Sequence, residues 1–234
     1  MPHILDNMIW NAISTGNRDI ALLDGDVGCY QPDIAPFVGL KELNDESLKK
    51  LHDFISADRR VAIAYFNKIS LDKNNPIAIG WEVIRQMECC QMVYEYPMNT
   101  FTTAKSHLIV PLTAEHVPQM LELTRLTKPG PFLQRTIEFG NYFGIFIDGR
   151  LAAMTGQRMH PLPYMEVSAV CTHSDFRGKG YAKACMLHVM KLILDNSFIP
   201  FLHVLTSNAS AIALYESIGF RTRTKLNIDM IKRL

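Results

Sequence analysis

Two glycines on either side of a lysine, directly before a helical pattern, form the segment with the clearest potential for chemistry. Residues 173–189 read HSDFRGKGYAKACMLHV. The first backbone N–H groups of a helix have no partner within the helix, and the helix dipole favours an anion there. Gly178 and Gly180 lack a Cβ atom, so a phosphate could approach their backbone closely, and Arg177 and Lys179 add positive charge. The segment therefore predicts a phosphate-binding loop at a helix N-terminus.

Two common phosphate-binding loops do not fit this segment. A Walker A loop needs the pattern G-x-x-x-x-G-K-S/T, which the sequence does not contain. The dinucleotide fingerprint G-x-G-x-x-G would need a glycine where the chain has Lys183. Another kind of anion-binding loop remains, and so does an ordinary glycine turn before a helix.

The elements that would position this loop are a strand before it and a helix after it. Residues 164–172 (YMEVSAVCT) have the composition of a buried strand, and an amphipathic helical pattern covers residues 181–195. A hairpin turning at Gly149 is expected earlier in the chain. In order, the predicted elements of this region are residues 107–112, 113–126, 131–139, 142–148, 151–159, 164–172, 181–195, 200–206, 208–217 and 221–232.

The first hundred residues predict a smaller α/β unit. Its expected elements are helices over 4–15 and 44–55 and strands over 59–66 and 88–96. Residues 1–104 hold 9 Lys and Arg against 14 Asp and Glu, a net charge of −5, whereas residues 105–234 hold 15 against 9, a net charge of +6. This asymmetry, with an unpatterned stretch over 97–106, predicts two domains, 1–104 and 105–234, the second of which handles an anion.

Length and composition narrow the class of protein. A chain of 234 residues with 48% hydrophobic residues can bury a full core. No apolar run approaches the roughly 18–20 residues that span a bilayer, and the N-terminal residues lack the basic start of a secretory signal. The five cysteines form no C-x-x-C pair, which suits reduced thiols. We therefore expect a cytoplasmic protein with no membrane partner, and the lack of Lys/Arg runs argues against nucleic acid.

Three linked motifs resemble the GNAT superfamily of N-acetyltransferases. RGKGYA fits that family's R/Q-x-x-G-x-G/A pyrophosphate loop, with Arg177, Gly180 and Ala182 in the defining places. The strand before it resembles the family's fourth strand. Downstream, NASAIALYESIGF resembles the family's N-x-x-A-x-x-x-Y-x-x-x-G-F helix, and with the preceding FLHVLTSN it is similar to the FR47-like branch. The resemblance covers about residues 107–234.

The resemblance implies a fold, a co-substrate and the residues that hold it. The fold would be mixed α/β with a splayed central sheet, with 105–234 as the catalytic domain and 1–104 as an α/β domain, in one reading a degenerate half-copy of the same fold. Acetyl-CoA would be the co-substrate, with no metal. The CoA-binding residues implied are Val170, Cys171, Thr172, Arg177, Gly178, Lys179, Gly180, Tyr181, Ala182, Lys183 and Asn208.

The same resemblance implies the catalytic groups. Tyr215 matches the tyrosine that protonates the departing CoA thiolate, although a core tyrosine is the alternative. An amine also needs a proton acceptor, for which Glu166 on the fourth strand and His203 on the fifth are candidates. The Val170 N–H is placed to polarise the acetyl carbonyl. Cys171 as an acyl-accepting nucleophile is a weaker alternative, because no histidine is paired with it and a strand cysteine usually packs as a small hydrophobe.

The acceptor is the least specified part of the expected reaction. Residues 127–140 (TKPGPFLQRTIEFG) occupy the family's acceptor side, where Phe132 and Arg135 could line a pocket and Arg135 could pair with a carboxylate. A packed loop is the equal alternative for this segment. The expected activity is direct acetyl transfer to a primary amine of a small molecule, amino acid or peptide, by a monomer or homodimer. The alternatives are a non-catalytic acyl-CoA-binding or regulatory module, a transferase of longer acyl groups, and a tandem-domain arrangement in which the N-terminal half forms part of the acceptor site.

Overall fold

The computed structural model describes residues 2–66, 80–95 and 108–234. In its N-terminal part, a short 3-10 turn precedes helix α1 (Met8–Ser14), and three antiparallel strands form a small sheet. The elements of this part are α1, β1 (Ala21–Asp24), β2 (Val27–Tyr30), β3 (Val38–Leu40), α2 (Asp45–Phe54), β4 (Arg60–Tyr65) and β5 (Trp81–Tyr94).

The C-terminal part alternates strands with three helices. Its elements are β6 (Val110–Pro111), α3 (Val117–Thr127), β7 (Phe143–Ile147), β8 (Arg150–Gln157), β9 (Tyr164–Thr172), α4 (Tyr181–Asp195), β10 (Ile199–Leu205), α5 (Ala209–Ser217) and β11 (Phe220–Arg233). No helix in the described part of the chain is long and apolar enough to cross a membrane.

Eight strands form one mixed sheet in the order β4-β11-β5-β10-β9-β8-β7-β6. Strands β9 and β10 pair in parallel, and their ladder covers Tyr164 to Glu166 against Ile199 to Phe201. Beyond these residues the two strands continue without pairing to each other, so the sheet opens into a cleft. The predicted mixed α/β fold with a splayed sheet is therefore confirmed.

The large sheet joins the two predicted domains. Strand β5, from the N-terminal region, pairs antiparallel with β10 on one side and with β11 on the other. Residues 1–104 thus supply a strand in the interior of the sheet, between two strands of the C-terminal region. The two parts of the chain therefore share one hydrogen-bonded sheet. The predicted boundary stretch 97–106 lies outside the described residues, and the half-copy reading of residues 1–104 is not confirmed.

Helices cover both faces of the sheet and fix the cleft between them. Helix α4 buries its apolar stripe against β9 and β10, in a cluster that includes Met190, Val167 and Leu202. The cluster on the other face includes Met120 of α3 and side chains from the N-terminal helix α1. The cleft therefore opens between strands that are held in place from both sides.

Local signals predicted some elements better than others. Helix α4 begins and ends at the predicted residues, and Asn44 caps α2 through a reciprocal pair of hydrogen bonds with Ser47. The helix predicted over 131–139 is only a 3-10 turn, Thr136–Phe139, in which the Thr136 hydroxyl accepts from the Leu133 N–H. Strand β5 starts at Trp81, before the predicted 88–96. Its first residues, WEVIRQM, have no strict alternation, and it is their pairing with β11 that makes them a strand.

Candidate active site

A bulge in β9 shapes one wall of the cleft. Ala169 has φ of +53°, a left-handed conformation that a non-glycine residue rarely adopts within a strand. At this point two residues of β9, Ala169 and Val170, oppose the single residue Thr155 of β8. Such a conformation costs about 1–3 kcal/mol and persists only where the surroundings enforce it. The bulge interrupts the ladder with β8 at Ala169 and Val170, and pairing resumes at Cys171 and Thr172. Val170, Cys171 and Thr172 line the cleft.

The cleft is a single continuous cavity of about 930 Å³ that runs between β9 and β10. We call its two ends the loop end and the sheet end. The loop end is lined by Arg177, Gly178, Gly180, Tyr181, Ala182, Lys183, Asn208 and Tyr215. The sheet end is lined by Phe37, Ala62, Arg85, Met87, Cys89, residues 127–131, Arg158, His203, Ile228 and Met230.

The glycine loop has the backbone that an anion site requires. Gly178 and Gly180 have φ of +76° and +79°, both left-handed, and a Cβ atom added at either would meet nothing within 4 Å. Gly180 is the N-cap of α4, and no side chain in the described part of the chain caps this helix. The free N–H groups of the first turn are therefore available to a ligand in the open space beside them. Lys179 lies near the ring of Phe176, 5.5 Å from its centroid, rather than on the cavity wall.

Glu166 is fully buried at the vertex of the cleft, where β9 and β10 part. Both of its oxygens accept hydrogen bonds from Arg158, each at 2.7 Å, and the Met159 N–H donates to Oε2 at 3.3 Å. Burial by itself would raise the pKa of Glu166. The charge of Arg158 and the hydrogen bonds from Arg158 and His203 outweigh burial and hold that pKa well below its ordinary value. The group is a carboxylate with little tendency to accept a proton.

The direction of three hydrogen bonds assigns the tautomer of His203. The Arg223 Nε–H can only donate, so the oxygen of the Gln91 amide faces it at 2.6 Å, and the Gln91 nitrogen donates to the Leu5 carbonyl at 3.1 Å. That nitrogen also lies 3.1 Å from Nε2 of His203, which must therefore accept. The proton of the neutral imidazole is then on Nδ1, which donates to Glu166 Oε1 at 2.7 Å.

Tyr215 projects from α5 into the cavity with its ring packed against Phe220, at a centroid distance of 6.3 Å. Burial raises the pKa of Tyr215 to about 12, with a smaller contribution from the neighbouring Cys171. No hydrogen bond within the described residues occupies the Tyr215 hydroxyl. Asn208 caps the same helix by accepting from the Ala211 N–H at 3.2 Å, so one residue both starts α5 and lines the cavity.

Cys171 lacks the surroundings of a nucleophile. Burial raises the pKa of its thiol to about 12, so the thiolate is scarce near neutral pH. Its side-chain partner is the hydroxyl of Thr127 rather than a histidine. The described residues also contain no group of three or more His, Cys, Asp or Glu side chains that could hold a metal ion.

Two residues expected on the acceptor side are placed elsewhere. Arg135 makes two hydrogen bonds to Glu138 and others to Gln31 and Asp33, and it is not among the residues that line the cavity. Phe132 packs against the ring of Tyr142, 5.6 Å away. Of the two readings of this segment, the structure favours the packed loop over the pairing of Arg135 with a substrate carboxylate, because side chains of the protein already hold this guanidinium.

Besides Arg177, which the sequence predicted, the arginines that line the cavity are Arg158 and Arg85, which sequence reasoning missed. Arg158 follows β8, and Arg85 lies on β5 in the N-terminal region. Neither belongs to a motif. Only the pairing of β5 with β11, and of β9 with β10, brings them to the same cavity, so no local signal pointed to them.

Comparison with known proteins connects this geometry to a family. The family model for acetyltransferases of the GNAT family matches residues 111–220. A protein from Novosphingobium aromaticivorans, assigned to the same family, is 31% identical, with a TM-score of 0.88 and all of both chains covered. Comparison with curated proteins gives no match.

Two more distant structures share the fold. A GCN5-related N-acetyltransferase from Kribbella flavida is 11% identical over 97% of this chain and 95% of its own, with a TM-score of 0.64. A Drosophila protein is 16% identical over 89% of this chain and 73% of its own, with a TM-score of 0.65. The FR47-like branch is not confirmed by these matches.

Proposed function

Because the chain belongs to the GNAT family of acetyltransferases, we propose that it transfers an acetyl group from acetyl-CoA to the primary amine of a small molecule, amino acid or peptide. The observation that carries this proposal is the single cavity that connects the glycine loop to Tyr215 and on to the sheet end. A pyrophosphate site, a proton donor and an acceptor space are the parts that such a transfer needs. In this proposal the protein acts in the cytoplasm and its reaction needs no metal.

The loop end suits the acetyl-CoA pyrophosphate. The left-handed Gly178 and Gly180 leave open space beside an uncapped helix N-terminus, and Arg177 and Lys183 line the same end of the cavity. In the proposal, the N–H groups of residues 180–183 hold the phosphates and the backbone of Val170 to Thr172 pairs with the pantetheine arm as an added strand would. The Val170 N–H polarises the acetyl carbonyl, and Asn208 lies beside the same arm.

Proton transfers fall to the two sides of the cleft. Tyr215, protonated and without a competing partner among the described residues, donates its proton to the departing sulfur. Between the two candidate bases, His203 is the better acceptor, because it lines the cavity while Glu166 is held as a paired carboxylate. His203 takes the proton at Nε2 once the Gln91 N–H withdraws, and Glu166 keeps the ring in the Nδ1–H tautomer.

The test of this proposal is thiol release from acetyl-CoA over a panel of primary amines, together with the affinity for CoA by calorimetry. We expect CoA to bind and at least one amine to stimulate thiol release far above the hydrolysis background. Binding of CoA without release for any amine or acyl chain would indicate the non-catalytic module. Faster release from a longer acyl-CoA than from acetyl-CoA would indicate the transferase of longer acyl groups.

A further inference from the structure

The charges around the cavity are of one sign. Among the described residues that line it, the cationic side chains are Arg85, Lys128, Arg158, Arg177 and Lys183, and none is Asp or Glu. Arg177 and Lys183 belong to the loop end, so three cations are left for the sheet end. Glu166, the nearest buried carboxylate, uses both oxygens on Arg158 and does not line the cavity. A cationic acceptor such as a polyamine would find no carboxylate partner on these walls.

Arg158 is held in place by Glu166 and keeps an unused hydrogen-bond donor, Nη1, among the described residues. Its Nε and Nη2 donate to Glu166. Burial by itself would lower the pKa of Arg158, but the charge of Glu166 and the hydrogen bonds to it, with smaller contributions from Tyr142 and Tyr30, together keep that pKa above its ordinary value. No hydrogen bond within the described residues occupies Nη1. This atom lies beside Gly130 on the cavity wall, 3.9 Å from where a Cβ atom of that glycine would be. The ring of Phe37 lies under the guanidinium, with the carbon Cζ 4.8 Å from its centroid.

The remaining wall of the sheet end is apolar. Its side chains come from β4, β5, β11 and the segment before β4, and they are Phe37, Ala62, Met87, Ile228 and Met230. Arg85 lies on the same stretch of β5, opposite Met230 across the ladder. A ligand that enters this end thus meets the fixed guanidinium of Arg158, the exposed cations Arg85 and Lys128, and an apolar surface.

We infer that the acceptor amine carries a carboxylate, bound by Nη1 of Arg158 with Arg85 at the rim, and an apolar body that packs on this wall. Apolar α-amino acids such as leucine and phenylalanine are the simplest compounds of this class. The inference rests on the proposed acetyl transfer. It differs from the sequence-based expectation in the arginine that makes the contact, because Arg158 has a free edge toward the cavity and Arg135 does not.

The experiment compares acceptors that differ only in the carboxylate. L-leucine is paired with isopentylamine and L-phenylalanine with phenethylamine, with spermidine and phosphoethanolamine as further arms, and kcat/KM is measured by thiol release at saturating acetyl-CoA. A charge-assisted hydrogen bond to the carboxylate should make each amino acid at least about tenfold better than its partner. Equal or better rates with the plain amines or spermidine would overturn the inference, and so would preference for the phosphate compound.

Variants tie the preference to the arginine. Arg158→Lys keeps a cation for Glu166 but loses the forked donors, so the leucine-to-isopentylamine ratio should fall about tenfold while CoA affinity is unchanged. Arg135→Lys is the matched control, because Arg135 lies outside the cavity, and its ratio should equal that of the unmodified protein. If Arg158→Lys does not fold, Arg85→Gln at the exposed rim should still raise KM for leucine more than for isopentylamine. An unchanged ratio in a folded Arg158→Lys protein contradicts the inference.

Calorimetry separates the two levels of the proposal. Failure to bind CoA would contradict the proposed acetyl transfer itself. If CoA binds but the amino acids are not preferred over the plain amines, only the inferred class of acceptor is contradicted. If no acceptor releases thiol, N-acetyl-L-leucine and N-isopentylacetamide are titrated into the CoA complex. Tighter binding of the carboxylated compound supports the inference, and equal or undetectable binding of both contradicts it.

Discussion

Replacing Tyr215 by phenylalanine removes one hydroxyl group from the cleft and keeps the ring. The ring stays in contact with Phe220, and no hydrogen bond within the described residues is lost, so the free energy of unfolding should change little. With a pKa of about 12, only about one Tyr215 in 10⁵ is ionised at pH 7. The phenol is therefore a competent proton donor at any pH at which the enzyme would be assayed.

We expect Tyr215→Phe to lower kcat by about 10²–10⁴, the usual range for a general acid, with the affinity for CoA within about twofold. The assay is thiol release with the best amine of the panel, beside CoA calorimetry and thermal unfolding. Because the pKa is raised, the kcat of the unmodified protein should show no loss from Tyr215 ionisation between about pH 6 and 10.

Tyr142→Phe is the matched control for this change. Its hydroxyl is buried without a hydrogen-bond partner among the described residues and lies off the cavity, so its removal should leave kcat unchanged and stability equal or slightly higher. A Tyr215→Phe protein that retains kcat within about threefold would refute the acid assignment. Thiolate departure would then need no donor from the protein, and Tyr215 would be a packing residue.

Three further predictions follow from the same geometry. Gly180→Val forces a β-branched residue into φ of +79° and fills the open space of the glycine loop, so CoA affinity should fall by at least about tenfold in calorimetry. Glu166→Gln leaves Arg158 buried without its counter-charge and should cost about 3–5 kcal/mol in denaturant unfolding at pH 7. A fragment of residues 105–234 loses β5 from between β10 and β11 and should neither show a cooperative unfolding transition nor bind CoA.

The glycine and glutamate changes each have a control of the same chemistry. Gly149 has the same left-handed backbone conformation, φ of +77°, and lies in open space at a turn away from the cavity. Gly149→Val should therefore lower the stability about as much as Gly180→Val does and leave the affinity for CoA unchanged. Glu138→Gln breaks an Arg135 pair that is about one-third exposed and should cost at most about 1 kcal/mol. Equal CoA loss in both glycine variants, or equal stability loss in both glutamate variants, would contradict these assignments. A fragment that folds and binds CoA would show that β5 is dispensable.

The Glu166 pair also has a pH signature with a definite sign. Burial alone would raise the folded-state pKa of Glu166, but the charge of Arg158 and the hydrogen bonds from Arg158 and His203 together hold it below its ordinary value. The stabilisation is therefore complete above about pH 5 and is lost as pH falls through the ordinary carboxyl range toward the depressed pKa. The difference in stability between the unmodified protein and Glu166→Gln should shrink on acidification.

Elements whose signals lie within their own residues could be predicted from the sequence. The glycine pair and the amphipathic pattern predicted α4 to the residue, since helix capping and periodicity depend on neighbours in the chain. The position of β5 was not legible, because its register is set by pairing with β10 and β11, more than a hundred residues away. The sheet end of the cavity depends on that pairing, so it could not be predicted from residues 105–234 alone.

The two candidate bases show the same limit at the level of a single proton. The sequence identified Glu166 and His203 as groups that could accept one, but a group's capacity to accept depends on what already donates to it. Arg158 donates twice to Glu166, and the Gln91 amide, fixed by an arginine on β11, donates to His203. Which residue can accept the proton is therefore set by three groups outside the motif. They are Gln91 of β5, Arg158 directly after β8, and Arg223 of β11. Any step that uses His203 must include release of the Gln91 N–H, so Gln91 belongs in the account of the reaction although it touches no substrate.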